Sequence, residues 1–401
     1  SGVVVVSNDA DVLSAAARGI YGKVTGSSAV TVTNTGSVVA SLNGIGAVST
    51  GGSVAIDSSN DVTSLGAIGI FAKAAADKAA SVLQLGTVYS HGAGIYAFGS
   101  DVSVEQSGGD VVSLAGSGIM VSGTGLLSID TSGTVLGAAG HSAVAFDPGT
   151  DNQVLVRPES IVANAGGIDQ LAILGGTGNE DVVNTGTVIG SVKLGDGLNA
   201  FDNRQGALFV MGDTLQLGAQ GHMTNAGTMS PGGDGKIETV NMTGNLQQTG
   251  EGIWSVDIDP TTGAADLIRL SGAADLSGTV QVNLANPAKS SREYTILRAD
   301  GGVTHDGLML GDGLPSTLAL SYSLLYPDAY TVVLGVLVDF GLDYGGLNDN
   351  QTNIGDNLSD IYENGSGGMS KLTDALIEIT DNDAYKDALN QLLPEPYLQA
   401  A

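Results

Sequence analysis

A two-residue phrase, glycine followed by isoleucine, returns about every 25 residues through the first part of the chain. It occurs at Gly19-Ile20, Gly44-Ile45, Gly69-Ile70, Gly94-Ile95, Gly118-Ile119 and Gly167-Ile168, and Ala143-Val144 fills the gap before the last of these. A self-similar period of roughly 20 to 50 residues is typical of solenoids, in which each repeat buries its apolar face by stacking on its neighbours. We therefore predict one elongated body with a continuous core.

Each period also holds two further short apolar segments. One appears at 53–57 and again at 101–105, and the other can be followed through Val38, Val62, Val88, Val111, Val135, Ile161 and Val188. Segments this short, rich in Val, Ser and Thr, cannot form stable helices and favour strands. Three strands per coil predict an all-β parallel β-helix. About 12 coils up to residue 338, stacked about 4.8 Å apart, predict a rod roughly 60 Å long.

The charge and composition of the chain exclude several kinds of partner and site. The 401 residues include 42 Asp and Glu against 14 Lys and Arg, which gives a net charge of −28. Binding to nucleic acid or to an anionic membrane requires clustered cations, so we predict neither partner. The chain has no Cys, which excludes disulfides and thiolate sites. The start of the sequence does not resemble a signal peptide, so we expect a secreted protein to be present here in processed or truncated form.

Two segments depart from the strand pattern. The run AKAAADKAA at 72–80 predicts a corner loop or a short helical insert on one coil. Two glycine-rich segments further on are similar to calcium-binding nonapeptides: Gly175, Gly176, Gly178 and Asn179, then Gly195, Gly197, Asn199 and Asp202. Calcium sites of that kind need several tandem copies. With two imperfect copies, we predict ordinary turns here and keep weak calcium binding as the alternative.

Four blocks after residue 206 carry a specific pattern. They are TNAGTMSPGG at 224–233, MTGNLQQTGEGIWSVDID at 242–259, ADLIRLSGAADLSGTVQVNL at 265–284 and YTILRADGGV at 294–303. In this order they resemble the C-terminal passenger region of autotransporters, the bacterial proteins of type V secretion. The resemblance covers roughly residues 174–401, and the upstream repeats agree with it in style only.

The resemblance implies a right-handed β-helix whose last coils act as an autochaperone that nucleates folding at the cell surface. It divides the chain into β-helix repeats at 1–205, terminal coils at 206–338 and an acidic helical linker at 339–401. In the family this linker leads to a membrane β-barrel in the outer membrane of a Gram-negative bacterium, which this sequence lacks. The chain is therefore expected to meet the membrane only through that absent barrel.

The acidic linker has helical spacing. It contains twelve Asp and Glu but only Lys371 and Lys386. Apolar residues recur at helical intervals in three groups: Ile354, Leu358, Ile361 and Tyr362; Leu372, Ala375, Leu376 and Ile379; and Tyr385, Ala388, Leu389, Leu392 and Leu393. Ser370 and Asp381 are predicted N-caps, and Pro394 is predicted to end the last helix. Such short helices need a partner surface. We therefore expect Leu376, Ile379, Leu389 and Leu393 to be buried against the terminal coils.

The carboxylates, the histidines and the single Trp are the residues that could carry chemistry or bind a ligand. Glycosidases use two carboxylates, for which Asp57 with Asp61 and Asp101 with Asp110 are candidates, although Asp is also an ordinary corner residue. The four histidines, His91, His141, His222 and His305, lie in unrelated coils, and the neighbours His141 and Ser142 point to opposite strand faces. Trp254 is predicted to pack in the core. We predict no catalytic residue, no cofactor and no metal ligand.

These observations lead to a functional hypothesis. The chain is interpreted as an autotransporter passenger that acts outside the cell, on the bacterial surface, as a non-catalytic adhesin or structural protein. Its expected partners are a surface protein or glycan of a host or bacterial cell, together with self-association along the rod. The first alternative is a β-helix enzyme that acts on carbohydrate, and the second is a stalk for a functional head N-terminal to Ser1.

Overall fold

The structure is a computed structural model that describes residues 2–286, 291–312, 314, 317–343, 346–364 and 368–393. It is a right-handed parallel β-solenoid of about 12 coils with roughly 25 residues each. Its strands β1 to β39 and helices α1 to α3 are numbered in chain order. Three strands per coil stack into three rows, which we call A, B and C, as the three short segments of each sequence period predict.

Row A is one sheet of 13 parallel strands. Its members are β1 (Val3–Asn8), β4 (Ala29–Asn34), β7 (Val54–Ser58), β10 (Ala80–Gln84), β13 (Val102–Gln106), β16 (Leu126–Thr131), β19 (Asp151–Val156), β22 (Asn179–Asn184), β24 (Ala200–Asn203), β26 (His222–Asn225), β29 (Asn245–Gln248), β33 (Ala274–Leu276) and β36 (Val303–Thr304). The strand β1 pairs with β4 along one edge.

Rows B and C belong to a second sheet. Row B contains β2 (Val12–Ser14), β5 (Val38–Ala40), β8 (Val62–Ser64), β11 (Val88–Ser90), β14 (Val111–Ser113), β17 (Thr134–Gly137), β20 (Ile161–Asn164), β27 (Thr228–Pro231), β30 (Ile253–Asp259), β34 (Gly278–Leu284) and β37 (Leu308–Leu310). Row C contains β3 (Ile20–Val24), β6 (Ile45–Ser49), β9 (Ile70–Lys73), β12 (Ile95–Gly99), β15 (Ile119–Gly123), β18 (Val144–Pro148), β21 (Leu171–Leu174), β28 (Thr239–Thr243), β32 (Leu267–Leu270) and β35 (Arg292–Ala299). The long strands β23 (Thr187–Lys193) and β25 (Leu208–Gln216) bend and pair with both rows.

The core is a stack of identical inward positions. Row B contributes Val38, Val62, Val88, Val111 and Val135, and row C contributes Ile45, Ile70, Ile95 and Ile119, all of them fully buried. In the Gly-Ile phrases from Gly19 to Gly118, the glycine lies where the valine of the next coil packs, so that a β-carbon at Gly69 would lie 2.4 Å from Val88 Cγ1. The phrase therefore recurs because the corner between rows B and C has no room for a side chain.

Two of the predicted repeat positions, Ile161 and Gly167-Ile168, are wrong because the strand register shifts between coils. Val135 pairs with Val162, so Ile161 is one position early and points outward. The corner at 157–160 lengthens this coil, and a one-residue shift moves a strand residue to the opposite face. In the next coil Val144 pairs with Ile173, because Gly167-Ile168 lies in a turn where Gly167 has φ +101°.

The segment at 72–80 forms the corner loop, not the helical insert. Ala72 lies within β9, and Ala80 is the first residue of β10. The residues between the two strands form a turn that is closed by a hydrogen bond from Lys78 N to Ala75 O. Its backbone is tied to adjacent coils, since Ala74 N donates to Phe98 O and Ala75 N to Gly52 O.

Buried amide side chains form a ladder at the end of row A. Asn184 Nδ2 donates to Asn203 Oδ1 at 2.9 Å, and Asn203 Nδ2 donates to Asn225 Oδ1 at 2.8 Å. Asn225 Nδ2 in turn donates to Gln248 Oε1 at 3.3 Å. Because buried polar groups are costly unless paired, this ladder fixes the register of the coils as well as satisfying the corner.

An antiparallel hairpin closes the C-terminal end of row C. Its strands are β38 (Leu320–Leu325) and β39 (Thr331–Val338), and β39 pairs with β35 in the antiparallel direction. A short strand, β31 (Ala264–Ala265), also pairs antiparallel, with β30. At the other end Val3 and Val5 are 62% and 63% exposed. The segment at 3–6 is therefore not a cover over the first coil but part of the first strand of row A, whose outer edge it forms.

Three helices follow the hairpin and pack on the terminal coils. They are α1 (Asp349–Glu363), α2 (Ser370–Ile377) and α3 (Asn382–Gln391). Leu376 and Leu389 are buried as predicted, whereas Ile379 and Leu393 are half-buried. Tyr385, which is also buried, donates from Oη to Phe340 O at 2.8 Å.

The caps of these helices agree in part with the sequence prediction. Asp381 caps α3 by accepting from Ala384 N. Ser370 is the first residue of α2 and not its cap, which is Met369. The best cap was not predicted: Asn348 and Gln351 form a reciprocal capping box on α1. Pro394 lies outside the described residues.

Candidate binding surface

Five neighbouring strands of row C, β3, β6, β9, β12 and β15, turn two columns of side chains outward. One column is Tyr21, Gly46, Phe71, Tyr96 and Met120, and the other is Lys23, Val48, Lys73, Phe98 and Ser122. Because strand side chains alternate, the residue after each inward isoleucine must face outward. The aromatic face is defined here as Arg18, Tyr21, Lys23, Phe71, Lys73, Tyr96 and Phe98.

The rings of the aromatic face are held by specific contacts. Phe71 and Tyr96 are ladder neighbours with ring centroids 5.6 Å apart and planes tilted by 32°. The ring of Tyr21 extends over Gly46, where an added β-carbon would lie 2.7 Å from Tyr21 Cδ2. All four rings are partly exposed. The result is a strip of rings along the rod axis rather than a closed pocket.

Cations lie beside these rings. Arg18 Cζ is 4.3 Å from the centroid of the Tyr21 ring, and Lys73 Nζ is 5.6 Å from the centroid of Phe98. Both distances fit cation–π contacts. Within the described part of the chain, Arg18, Lys23 and Lys73 form no ion pair with a carboxylate, unlike Lys78, Arg157, Arg204 and Lys236. The aromatic face thus concentrates unpaired positive charge on a strongly acidic protein.

The candidate carboxylates from the sequence hold corners together. Asp61 Oδ1 accepts from Thr87 N at 2.7 Å, and Asp110 Oδ1 accepts from Thr134 N at 3.0 Å, each in the next coil. Asp101 Oδ1 accepts from Leu126 N at 3.0 Å in the same way. Asp57 is exposed on the outer face of β7. Three of the four therefore cap the backbone of a neighbouring coil.

The four histidines are not gathered into one site. His91 and His141 occupy corners, His222 begins β26, and the ring of His305 stacks on Tyr326 with centroids 3.5 Å apart. Ser142 is buried, with its Oγ 3.3 Å from Ser117 Oγ, while its neighbour His141 is exposed. The expectation that the two residues alternate along a strand is wrong, because both lie in the turn before β18.

A groove of about 530 Å³ crosses the outer face of row A near the C-terminal coils. Its polar lining includes His222, Asn245, Gln247, Asp275 and Thr304. Its lining contains one carboxylate and no Phe, Tyr or Trp. It therefore lacks the paired carboxylates and aromatic shelf that a β-helix glycosidase would place in its cleft.

The glycine-rich segments at 175–202 use their polar side chains between coils. Asn179 Oδ1 accepts from Leu198 N and Asn199 Oδ1 accepts from Glu180 N, both at 2.9 Å, while Asp202 pairs with Arg204. Glu180 is buried, and burial raises the pKa of its carboxyl. Among the described residues, no group of three or more His, Asp or Glu side chains is placed to hold a metal ion.

Buried acids in the terminal coils were not predicted from the sequence. Asp266 accepts from Glu238 N at 2.7 Å and from Asp257 N at 2.8 Å, and burial raises its pKa to about 8. Asp257 Oδ1 accepts from Asn283 Nδ2 at 2.9 Å. This network fastens the segment at 232–238 over the outer side of β30. In the sequence, only the single acid of the ADLIRL segment at 265–270 marks this position.

Trp254 is fully buried, as predicted, between its ladder neighbours Met229 and Val280. Val256 and Ile258 share its inward face. Ser255 and Asp257 point to the other side, yet they are buried too. The overlying segment and Asn283 cover them, which alternation within one strand could not reveal.

The fold and surface define a right-handed parallel β-solenoid with an aromatic, positively charged strip. No protein-family model matches this chain, and no curated protein matches it either. None of the described helices is both long and apolar enough to cross a membrane.

Proposed function

We propose that this chain is the passenger region of an autotransporter that acts outside the cell as an adhesive surface protein without catalytic activity. The observation that carries the proposal is the aromatic face, a strip of partly exposed rings and cations on the side of the rod. The four ordered blocks between 224 and 303 support the assignment to this family.

The arrangement of charged groups favours adhesion over catalysis. One carboxylate oxygen of each of Asp61, Asp101 and Asp110 accepts a backbone N–H group of a neighbouring coil, which is a structural role. Asp266 and Asp257 lie beneath the segment at 232–238, away from solvent. The aromatic face instead presents exposed rings and cations, which suit recognition of a partner without any reaction.

Surface display tests this proposal. The chain is fused to an autotransporter β-barrel in a non-adherent Gram-negative strain, and protease treatment of intact cells checks that it reaches the surface. We expect the displaying cells to adhere to host cells or extracellular matrix well above cells that carry the barrel alone. Surface exposure without any gain in adhesion would contradict the proposed function.

The two alternatives have separate tests. Release of reducing ends from a panel of polysaccharides by the purified chain would support the carbohydrate-active enzyme and overturn the non-catalytic assignment. A stalk whose function belongs to a separate N-terminal head predicts that displayed cells adhere no better than the control. Adhesion that is lost in Phe71→Ala with Tyr96→Ala would place the function on this rod.

A further inference from the structure

We propose that the aromatic face binds an acidic polysaccharide whose sugar rings stack on the aromatic side chains and whose carboxylates pair with the cations. This inference rests on the proposed adhesive function and names the class of its ligand. Three independent features of the aromatic face point to it: the spacing of the rings, the sign of the charge and the open shape.

The ring spacing suits a linear chain of sugars. Phe71 and Tyr96 are ladder neighbours on successive coils, and Tyr21 lies two coils before Phe71 with Gly46 between them. Because Gly46 has no side chain, the Tyr21 ring has room to extend along the column. The rings therefore follow the rod axis, so an extended polymer running along the axis meets them in turn. A pyranose presents a C–H face of about one ring's size, and the electron-rich face of an aromatic ring attracts such partially positive groups.

The charge determines which polysaccharide fits. A protein with a net charge of −28 repels anions at long range. Arg18, Lys23 and Lys73 nevertheless remain without a carboxylate partner in the described structure. Arg18 and Lys73 lie over rings, and Lys23 follows Tyr21 by two positions on the same strand face. Guanidinium and ammonium groups form their strongest hydrogen bonds with anionic oxygens such as carboxylates. A polysaccharide in which uronic acids alternate with uncharged sugars supplies these oxygens at regular intervals beside stacking sugar rings.

Single-stranded nucleic acid also combines stacking with anionic charge, but it fits this face less well. It carries one phosphate per nucleotide, and tight binding needs a groove of cations along the backbone. The aromatic face offers three cations on a chain whose total charge opposes such a ligand. A sugar chain with a carboxylate on alternate residues matches this lower density of positive charge.

Binding is tested with purified full chain and hyaluronan oligosaccharides, in which every second sugar carries a carboxylate, measured by calorimetry. We expect hyaluronan to bind, with affinity falling as salt is raised. Phe71→Ala and Tyr96→Ala should each weaken binding about fivefold to tenfold through loss of ring contact. Lys73→Gln should weaken binding and reduce its dependence on salt.

Matched controls come from the rest of the rod. Tyr89→Ala removes an exposed ring from row B, and Lys78→Gln removes a lysine already paired with Asp77. Neither should change the affinity. Thermal unfolding of each variant shows that the fold is retained. Because Gly46→Ala displaces the Tyr21 ring without deleting it, this variant should weaken binding as well and provides a second test if a ring deletion perturbs folding.

Several results would overturn the inference. These are failure of hyaluronan to bind, unchanged affinity in Phe71→Ala and Tyr96→Ala, or equal affinity for an uncharged glucan or for oligo-dT. Failure here is distinguishable from failure of the proposed function. Displayed cells that adhere while hyaluronan does not bind would leave the adhesin standing and remove only its acidic-glycan ligand.

Discussion

Steric contacts with one or two neighbouring atoms determine which residues fit at the corners between rows B and C. A β-carbon at Gly94 would lie 2.3 Å from Val111 Cγ1 and 2.5 Å from the carbonyl oxygen of Gly118. The second of these atoms belongs to the backbone and cannot rotate away. The corner at Ala143 accommodates a methyl group, and that residue is fully buried. The requirement for glycine is therefore a property of each corner, set by how closely the next coil approaches.

We predict that Gly94→Ala lowers the free energy of unfolding by about 1 to 3 kcal/mol, the usual cost of overpacking a core. Urea unfolding followed by circular dichroism measures the change. The matched control is Gly250→Ala, where an added β-carbon meets nothing within 4 Å and φ is not positive. A Gly94→Ala midpoint equal to that of the wild type would show that the corner can relax.

Burial of Asp266 makes the stability of the terminal coils depend on pH. Its pKa is about 8 in the folded chain, raised mainly by burial, against 3.8 for a free side chain. The folded state therefore holds the proton more tightly, and this stabilising contribution is complete below about pH 4 and is lost as the pH rises towards 8. Burial also raises the pKa of Asp257, which acts in the same direction.

We predict that Asp266→Asn reduces this fall in stability between about pH 4 and pH 8. Thermal unfolding across that range measures it. Asp57→Asn, at an exposed position on β7, is the control and should leave the pH profile unchanged. An identical pH profile in Asp266→Asn and the wild type would show that Asp266 is not the group responsible.

At the scale of elements, the helical linker is stable only through its docking. The longest helix, α1, has 15 residues and α2 has eight, lengths that are marginal for isolated helices in water. They pack around Phe340, which receives the Tyr385 hydrogen bond and contacts Tyr362 edge-on at 5.5 Å. The linker thus extends the core of the solenoid beyond its last coil.

Replacing Leu376 and Leu389 together with Asp should release the linker, because both side chains are buried at this contact. We expect protease to remove residues after 339 while the β-sheet signal in circular dichroism stays unchanged. Ala375→Asp, at an exposed position of α2, is the control. A linker that is already cleaved in the unmodified chain would argue against docking.

The terminal coils at 206–338 are predicted to be the most stable part of the chain. They contain the nine-residue strand β25, the eight-residue strands β35 and β39, and the buried Trp254. Row B upstream has strands of only three or four residues, and the Val and Ala that they bury have less apolar surface than Trp254 or the buried Leu and Met of the terminal coils. Limited proteolysis with mass spectrometry should leave a C-terminal core, and recovery of an N-terminal core instead would contradict this prediction.

The division of the chain at residue 206 stays a prediction, since the strand ladders continue across this position without a break.

At the scale of the whole molecule, length follows from the number of coils. About 12 coils at the spacing of adjacent strands give a rod roughly 60 Å long before the linker is added. Small-angle scattering should give the skewed distance distribution of a rod, and a symmetric distribution typical of a sphere would contradict the fold. Sedimentation on the same sample tests the oligomeric state. We expect a monomer in dilute solution because the hairpin and helices cover the C-terminal end, whereas Val3 and Val5 remain exposed at the other end and would be the place where self-association begins.

The sequence by itself determined the architecture, because a solenoid repeats the same local contacts. The positions of Gly44-Ile45 and Val62 predict the equivalent residues in the next coil, because one repeat of the sequence corresponds to one coil of the structure. Strand alternation likewise predicted that Trp254 is buried, and helical spacing predicted that Leu376 and Leu389 are buried. The 25-residue period failed to predict the positions of Ile161 and Ile168, because extra residues at a corner of that coil shift the strand register.

Only the tertiary structure decided which outward residues meet. Phe71 and Tyr96 lie 25 residues apart, and each follows an inward isoleucine, so their outward direction was readable from the sequence. Their contact at 5.6 Å, with Lys73 beside Phe98, depends on how the coils align. The burial of Asp266 likewise depends on a segment folding back over β30. Periodicity fixes what faces the core, whereas surface neighbours and the layers that cover them arise from the stacking and folding of distant segments.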